Sequence, residues 1–595
     1  MIVYKAPLED LRFLLYELLD YEGTVGSLPG YEEASRDLVD SVLAEAGRFC
    51  ENELLPLNQR GDLEGCVFEN GMVRTPRGFK EAYQKFTAAG WTGLSCARDD
   101  GGQGLPMVFQ LILDEFTSST NLSFSIYPGL TTMAYQLLQR HGSEEQKRLI
   151  LPRLAAGVWS ATMCLTEAHC GSDLGLIRTR AEPEAGGTYR ITGTKIFISG
   201  GEQDLTENII HMVLARLPQA PAGTGGLSLF VVPKLLLDPD GKLGARNRVS
   251  CASIEQKMGI RASATCVLNF DGAAGYLVGQ PHTGMRMMFT MMNAARLAVG
   301  VQGLGLAETA YQSAAAYARE RLQGRSLSGP KHRDLPADPI IVHPDVRKSL
   351  LTMRAYIVGA RALVLWAAVA LDRAARHPHA AERTAAEELV SLMTPIIKAF
   401  IADIGVEATN HGLQVFGGAG YIRDTGMEQL VRDARIAQIY EGTNGIQGLD
   451  LAGRKLFQDN GRLLRRFFYP ISQFIEENSE AAEMQPFMQP LAKALGRLQE
   501  ATLWLAQQGL TDRDEIGAAA TDYLRLFGLV ALAYMWARSA KLALAKIGGD
   551  KDGFYRANLA TARFFMSRLL PQTQGLLTAL KSGAGPIMDF REEWF

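Results

Sequence analysis

Apolar residues recur at three- and four-residue spacing through two long parts of this chain, and at two-residue spacing in short runs between them. Residues 36–92 carry the helical spacing, as in "RDLVDSVLAEAGRFCENELLPL". Helices are expected to continue to about residue 160, interrupted by the glycine-rich turn "DDGGQGLP" (99–106). One of them, "SEEQKRLILPRLAAG", opens on a Ser-x-x-Gln capping box. From about 161 the pattern changes. "TYRITGTKIFISGG", "IIHMVLARL", "LSLFVVPK" and "TCVLNFDG" are β-branched and aromatic runs cut by Gly, Pro and Asp, and they predict antiparallel strands in a sandwich or barrel. Helical spacing returns near 283 and holds to about 457. "RLAVGVQGLGLAETAYQSAAAYARERL" predicts one long amphipathic helix. "VRKSLLTMRAYIVGARALVLWAAVALDRAA" is apolar nearly all round and predicts a central helix of a bundle, and "AEELVSLMTPIIKAFIADIGVEATNHGLQVF" predicts a third. A further helical block follows residue 460. No internal repeat or low-complexity segment is evident.

At 595 residues the chain is too long for one core and should form roughly three or four domains. The pattern places an N-terminal extension at 1–35, a helical domain at 36–160, a central antiparallel β domain at 161–282, a helical bundle at 283–460 and an extra C-terminal helical domain at 461–595. The fold class is therefore multidomain α+β.

Composition narrows the partners. Hydrophobic residues at 47% and charged residues at 21% are the profile of a soluble globular protein. A net charge of −3 gives no reason to expect nucleic acid or an anionic membrane. Residues 461–595 hold 16 Lys/Arg and 14 Asp/Glu, a net of +2, which reads as a packing domain and not a basic arm. The run "LFGLVALAYMWA" (526–537) spans 12 residues between Arg525 and Arg538. A membrane span needs about 20, so a buried helix is expected and no span. The N-terminus is acidic and lacks a basic or long apolar leader, so it reads as neither a secretory signal nor a transit peptide. The seven cysteines are scattered and contain no CxxC pair, which suggests reduced thiols in a cytosolic or matrix-like compartment. The nine histidines are dispersed too; His377 and His379 are separated by Pro378 with no further ligand set nearby, so no metal site is expected.

Individual motifs are ambiguous by themselves. No GxGxxG follows a strand; "GVQGLGLAE" and "VFGGAGYIRD" both miss that fingerprint, and there is neither a Walker loop nor a GxSxG elbow. "CLTEAHCGSD" (164–173) and "IFISGG" (196–201) offer the hydroxyls of Thr166, Ser172 and Ser199. Their glycines Gly171, Gly200 and Gly201 let a backbone approach a ligand closely, yet each segment alone reads as an ordinary loop. Cys170 reads as a small buried hydrophobe and His169 as a loop hydrogen-bonder. The methionines of "GMRMMFTMMNAAR" (284–296) suit a pliable pocket or a core equally well. Glu441, in "IYEGTNGIQ", is beside a glycine, as a helix-end carboxylate often is.

Taken together, "CLTEAHCGSD", "IFISGG", "KMGIRAS" (257–263), "RERLQGR" (319–325), "LQVFGGAGYIRD" and "RDARIAQIYEGTNGIQ" (432–447) occur in the order and spacing of the acyl-CoA dehydrogenase family, which the chain resembles over about 40 to 457. The N-terminal "YKAPLEDLRFLL" and the helical tail are similar to a large bacterial subgroup that includes methylmercaptopropionyl-CoA and fatty-acyl-CoA dehydrogenases. The resemblance implies a cytoplasmic enzyme that binds FAD between a β domain and a helical bundle. It would oxidise an acyl-CoA thioester to the trans-2-enoyl-CoA and pass electrons to an electron-transferring flavoprotein. By that resemblance Glu441 is the catalytic base. Thr166 reaches the flavin pyrimidine edge, Ser172 the pyrophosphate and the substrate, and Ser199 the flavin N5, while Phe197 packs on the flavin. Arg321 and Gln414 reach the FAD pyrophosphate of a neighbouring subunit, so a homo-oligomer, a dimer, is implied, and Gly418 is a further cofactor-binding residue. Thr443 is a further FAD contact, and Arg296, Tyr440 and Gly442 line the substrate site.

The sequence departs from the family at three points: "TEAHCGSD" replaces Thr-Glu-Pro-x-Ala-Gly-Ser-Asp, Phe197 replaces Trp and Ser199 replaces Thr. An oxygen-using acyl-CoA oxidase and a non-catalytic DNA-binding relative with a basic tail are the alternatives; "VFGGAGY" and the +2 tail argue against them in turn. A membrane-surface role for the tail is a third reading, with a subunit interface as its competitor. The chemistry suits Glu441 independently. A carboxylate can remove a proton α to a thioester when it is desolvated and fixed donors hold the enolate oxygen. The helix at 291–308 carries only Glu308, well past Arg296, and so supplies no rival base.

Overall fold

The change from helical to alternating spacing falls at Trp159 in the computed structural model, which describes residues 2–238 and 240–595. Its contacts divide the chain into two units, one of residues 46–298 and one of 1–45 with 299–595. The domains expected from sequence are finer than this division.

In the 46–298 unit, α1 (Met107–His141) and α2 (Glu144–Ala155) precede the strands. The capping box at the start of α2 is complete: Ser143 Oγ accepts from Gln146 N–H at 3.2 Å, and Gln146 Oε1 accepts from Ser143 N–H at 3.0 Å. Then come β1 (Trp159–Cys164), β2 (Arg180–Pro183), β3 (Tyr189–Ser199), β4 (Asn208–Arg216), β5 (Leu227–Pro233), β6 (Val249–Ile254) and β7 (Thr265–Val278). β7 pairs with β3 along most of its length and with β5 at its end; β5 pairs with β4, and β2 bridges β3 to β4, so the sheet closes on itself. The expectation of antiparallel strands needs a correction: β1 and β4 run parallel, from Trp159↔Asn208 to Cys164↔Val213. Both strands are buried almost throughout, and the long crossover between them, which contains β2 and β3, lets them lie in the same direction. A small hairpin, Val67–Glu69 with Met72–Arg74, lies within the expected helical stretch. The methionine run belongs to the core: Met287, Met288 and Met291 are buried with Met133, Trp159 and Leu229.

In the other unit, α3 (Gly284–Glu320, its part from Val299 onward), α4 (Pro344–Arg376) and α5 (Ala380–Phe416) are the three helices expected. "GVQGLG" is a packing motif. A Cβ on Gly300 would stand 2.6 Å from the Ile397 carbonyl oxygen, and one on Gly405 would stand 2.7 Å from that of Gly303, so α3 and α5 touch backbone to backbone. α6 (Met427–Arg435), α7 (Asn444–Leu449) and the C-terminal helices follow, the longest being α8 (Arg513–Lys546). The N-terminal extension packs onto this unit: Val3 N–H donates to Ser313 Oγ at 3.0 Å, and Tyr31 donates to Asp372 at 2.9 Å. Buried Arg361 pairs with Glu308 at 2.5 Å and with Asp10 at 3.7 Å. By length and composition three helices are long and apolar enough to cross a membrane, but their apolar windows are 89%, 72% and 67% buried within the protein. The "LFGLVALAYMWA" run is one of these buried stretches, within α8.

Candidate active site

Glu441 lies where the chain turns from α6 into α7. A single 3₁₀ turn, Ile436–Gln438, ends α6, and Thr443 caps α7 by accepting the Ile446 N–H at 3.3 Å. Between them Glu441 (φ 58°) and Gly442 (φ 85°) are both left-handed. For a glutamate this conformation costs about 1–2 kcal/mol. Tyr440 packs on Val299, Ala402 and Ala437, and its hydroxyl donates to Gln302 on α3. Burial, reinforced by the charges of Glu441 and Asp433, pushes this phenol well above its ordinary range, so it remains a neutral donor.

The flanks of the turn are tied to α5. Asp403 Oδ1 accepts from Gln438 at 2.6 Å and from Asn444 at 2.7 Å, so residues three before and three after Glu441 meet on one oxygen. Asn444 also donates to the Ala399 carbonyl at 3.1 Å and accepts from buried Lys398 at 2.8 Å. Burial raises the Asp403 carboxyl, with these amides, Arg525 and Lys398 opposing it. Sequence reading missed Gln302, Lys398 and Asp403; polar residues on the inward side of otherwise apolar helices were the available signal. Glu308 is the buried partner of Arg361 and accepts from Gln312 at 2.8 Å, which makes it part of a structural ion pair.

In the 46–298 unit, the second group of residues gathers around a β-bulge. Cys266 pairs with Ile198 and Leu268 with Lys195, so Ile196 and Phe197 together face Val267. Phe197 takes up the irregularity at φ 59°, an outlier for so large a residue, and its ring is 58% exposed. Ser199 pairs with Thr265 two residues on, and Ile196 N–H donates to the Thr166 carbonyl at 2.9 Å, which ties the "TEAHCGSD" loop to the bulged strand. Buried Lys195 strengthens the tie by donating to Leu165 O and Glu167 Oε1, both at 2.9 Å. Glu167 also accepts from the Thr179 hydroxyl at 2.6 Å and from the N–H groups of Thr179 and Arg178 at 3.0 and 2.8 Å. Burial alone would raise this carboxyl; Lys195 and those donors pull it down to about 2. Ser172 is exposed at the loop tip.

Glu167, His169 and Cys170 bring ligand-type atoms within 4.8 Å of one another. The Glu167 carboxylate is already committed, His169 Nε2 lies 2.9 Å from the Leu176 carbonyl, and Cys170 is buried in the core. The cluster is an ion-pair hub. Arg296 is buried, with Asn293 at 3.3 Å and its guanidinium over the Phe289 ring at 5.6 Å.

Arg321, Gln414 and Gly418 lie elsewhere in the 299–595 unit, at or just beyond the C-terminal ends of α3 and α5. Tyr317 and Phe416 stack at 4.3 Å, so the ends of α3 and α5 lie side by side, and all three residues are exposed there beside Tyr421, itself 79% exposed.

An aromatic face on a rigid bulge, neighbouring hydroxyls at Thr166 and Ser199 and an exposed Ser172 fit a flavin nucleotide, which needs a stacking surface and donors to its polar edge and phosphates.

Comparison with known proteins agrees along the whole chain. Residues 39–158, 162–273 and 282–456 match the N-terminal, middle and C-terminal domains of acyl-CoA dehydrogenase, and 467–591 match the family described as acetyl-CoA dehydrogenase C-terminal like. The chain is 44% identical over 572 residues to the 3-methylmercaptopropionyl-CoA dehydrogenase of Ruegeria pomeroyi, covering 96% of each. Its fold is similar to that of Caenorhabditis elegans ACDH-11, solved with C11-CoA (TM-score 0.77, 20% identity, 100% of this chain and 93% of that one). It is also similar to a Bacillus anthracis acyl-CoA dehydrogenase solved with FAD (TM-score 0.73, 21% identity, 97% and 92%).

Proposed function

Because this chain belongs to the acyl-CoA dehydrogenase family, an oxidoreductase family whose cofactor is FAD, we propose that it desaturates an acyl-CoA thioester between C2 and C3, with Glu441 as the base. The observation that carries this reading is the Glu441 turn itself: a carboxylate held in a strained left-handed conformation, clamped on both sides by Asp403. Strain of this kind persists only where the surroundings over-determine it.

Glu441 takes the proton from C2 of the thioester. Its own backbone N–H is the donor to the thioester carbonyl, which gathers negative charge as that proton leaves. Gly442 leaves room for the acyl chain, and Tyr440, neutral and bonded to Gln302, lines the site without competing for the proton. Thr166, Ser199 and Phe197 would hold the flavin ring, Ser172 the pyrophosphate, and Thr443 a further contact. When bound, FAD supplies the acceptor for the hydride that departs from C3 and passes the electrons onward. Arg321 and Gln414, both exposed, suit contact with a second copy's cofactor in a dimer, and Gly418 is assigned as a further cofactor contact. Arg296 is assigned to the CoA side of the substrate. The electron acceptor is assigned as an electron-transferring flavoprotein.

The test is anaerobic turnover of the FAD-loaded protein across linear acyl-CoAs of increasing length together with 3-methylmercaptopropionyl-CoA. Bleaching of the flavin with formation of the 2-enoyl-CoA is expected for at least one short substrate. A panel that leaves the flavin oxidised throughout would overturn the reading, and hydrogen peroxide formed stoichiometrically in air would replace the flavoprotein acceptor with oxygen.

A further inference from the structure

The C-terminal helix α8 lies against the segment that carries Glu441. A Cβ on Gly448, seven residues after Glu441, would stand 3.0 Å from the Ala520 carbonyl, so α7 and α8 meet backbone to backbone. Two turns further along α8, Gly528 leaves the space filled by the Phe400 ring of α5; a Cβ there would lie 2.3 Å from that ring. These two contacts fix both the register and the distance of α8 on α5 and α7. Between them Arg525 donates to Glu407 at 3.2 Å, also reaches Gln572 at 3.2 Å, and acts electrostatically on Asp403, one helical turn before Glu407. Asp403 is the residue that gathers Gln438 and Asn444 on the two sides of Glu441.

We propose that α8 of the C-terminal extension is a positioning element for the catalytic turn, with Arg525 tying α8 to α5 at Glu407, one helical turn from Asp403, and the Gly448–Ala520 contact setting where α7 begins. The proposal rests on the reading of Glu441 as the base. A left-handed turn has no ladder of its own hydrogen bonds, so the place of Glu441 depends on what holds its neighbours: Gln302 at Tyr440, Asp403 at Gln438 and Asn444, and α8 at Gly448. In this chain one part of that hold, the Ala520 backbone against Gly448, comes from beyond residue 461. The extension is thus a part of the active-site scaffold as well as a packing domain, and Arg525 is a positioning residue that touches neither substrate nor cofactor.

The test uses the full-length, FAD-loaded protein with Arg525→Met, Arg525→Lys and Gly448→Ala. In Arg525→Met the limiting rate of flavin reduction should fall about tenfold to a hundredfold, the scale of a misplaced catalytic group. Binding of acyl-CoA, read from the flavin spectrum, should stay within about threefold. Amide hydrogen exchange should quicken across 438–449 while the amides of α8 stay protected. Arg525→Lys should recover most of the rate, and Gly448→Ala, which pushes α7 from α8 without touching any charge, should reproduce the same split. Exchange across 438–449 and a reduction rate that both stay at wild type in Arg525→Met would overturn the proposal. So would exchange raised evenly over 461–595, which would make Arg525 a residue of the tail's own stability. Glu441→Gln run alongside separates the two readings. Retained flavin reduction there removes the base assignment, whereas unchanged exchange at 438–449 in Arg525→Met removes the role of α8 whichever group is the base.

Discussion

Phe197 and Glu441 have almost the same positive φ, 59° and 58°, and are held there by different means. Phe197 is at a bulge in a sheet, and the loop beside it is fastened by a direct buried ion pair, Glu167 with Lys195. Glu441 is on a turn between helices, and its fastening runs from Lys398 through the Asn444 amide to Asp403. Lys398 and Asp403 both bond the Asn444 amide, which bridges them. A direct ion pair suits an aromatic platform whose own chemistry is passive. A base must keep its affinity for a proton, and a nearby unbalanced charge would shift that affinity by whole units.

The largest effect that can break this comparison is expected at the base. Glu441→Gln keeps the shape and the backbone donor but removes the proton acceptor. Substrate-driven flavin bleaching in anaerobic stopped flow should fall by at least about 10²–10⁴ while acyl-CoA binding survives. Near wild-type bleaching would place the base elsewhere and make the strained turn a structural one.

Next comes the ion pair. Lys195→Met leaves Glu167 buried with its main partner gone and should cost about 3–5 kcal/mol in chemical denaturation. Its pH dependence has a definite sign. The folded-state Glu167 carboxyl is held at about 2 against an ordinary 4.5. Its contribution is therefore complete above about 4.5 and is lost as pH falls from there toward about 2. Glu167→Gln should flatten that part of the acid limb, and a mutant with the wild-type acid slope would show that the pair does not stabilise the loop. No comparable acid loss should arise from the amide-bridged turn.

Arg321→Ala should weaken FAD retention by about 1.5–3 kcal/mol, the scale of a charge-assisted hydrogen bond. It should also shift the proposed dimer toward monomer in sedimentation. Full FAD occupancy in an unchanged assembly would leave the exposed Arg321 and Gln414 without that role.

The smallest effect sharpens the comparison most directly. Phe197→Gly removes the left-handed penalty, so the unliganded protein should gain up to about 1 kcal/mol in unfolding free energy while FAD binds more weakly. A loss of stability with FAD affinity unchanged would mean that the ring is a packing residue.

Spacing alone identified the long helices 284–320, 344–376 and 380–416, the Ser143 cap and the strand-rich middle, because these depend on periodicity and local hydrogen bonds. Glu441, Thr166, Ser172 and Ser199 were singled out by the resemblance of the linked motifs to the acyl-CoA dehydrogenase family, since each segment alone reads as an ordinary loop or helix end. The parallel pairing of Trp159–Cys164 with Asn208–Arg216 was not legible, because direction is set by the path of the intervening chain and both strands read simply as buried. Neither was the left-handed backbone at Phe197 and Glu441: nothing in the identity of a phenylalanine or a glutamate announces it, and it exists only where a bulge or a clamp imposes it. The sequence by itself determined which elements form and which residue types are available for chemistry. Only the tertiary structure decided that Asp403 joins Gln438 to Asn444, that Lys195 meets Glu167 and that α8 packs on α7 at Gly448. Those are encounters between residues 28 to more than 70 positions apart, made specific by packed backbones and buried charge.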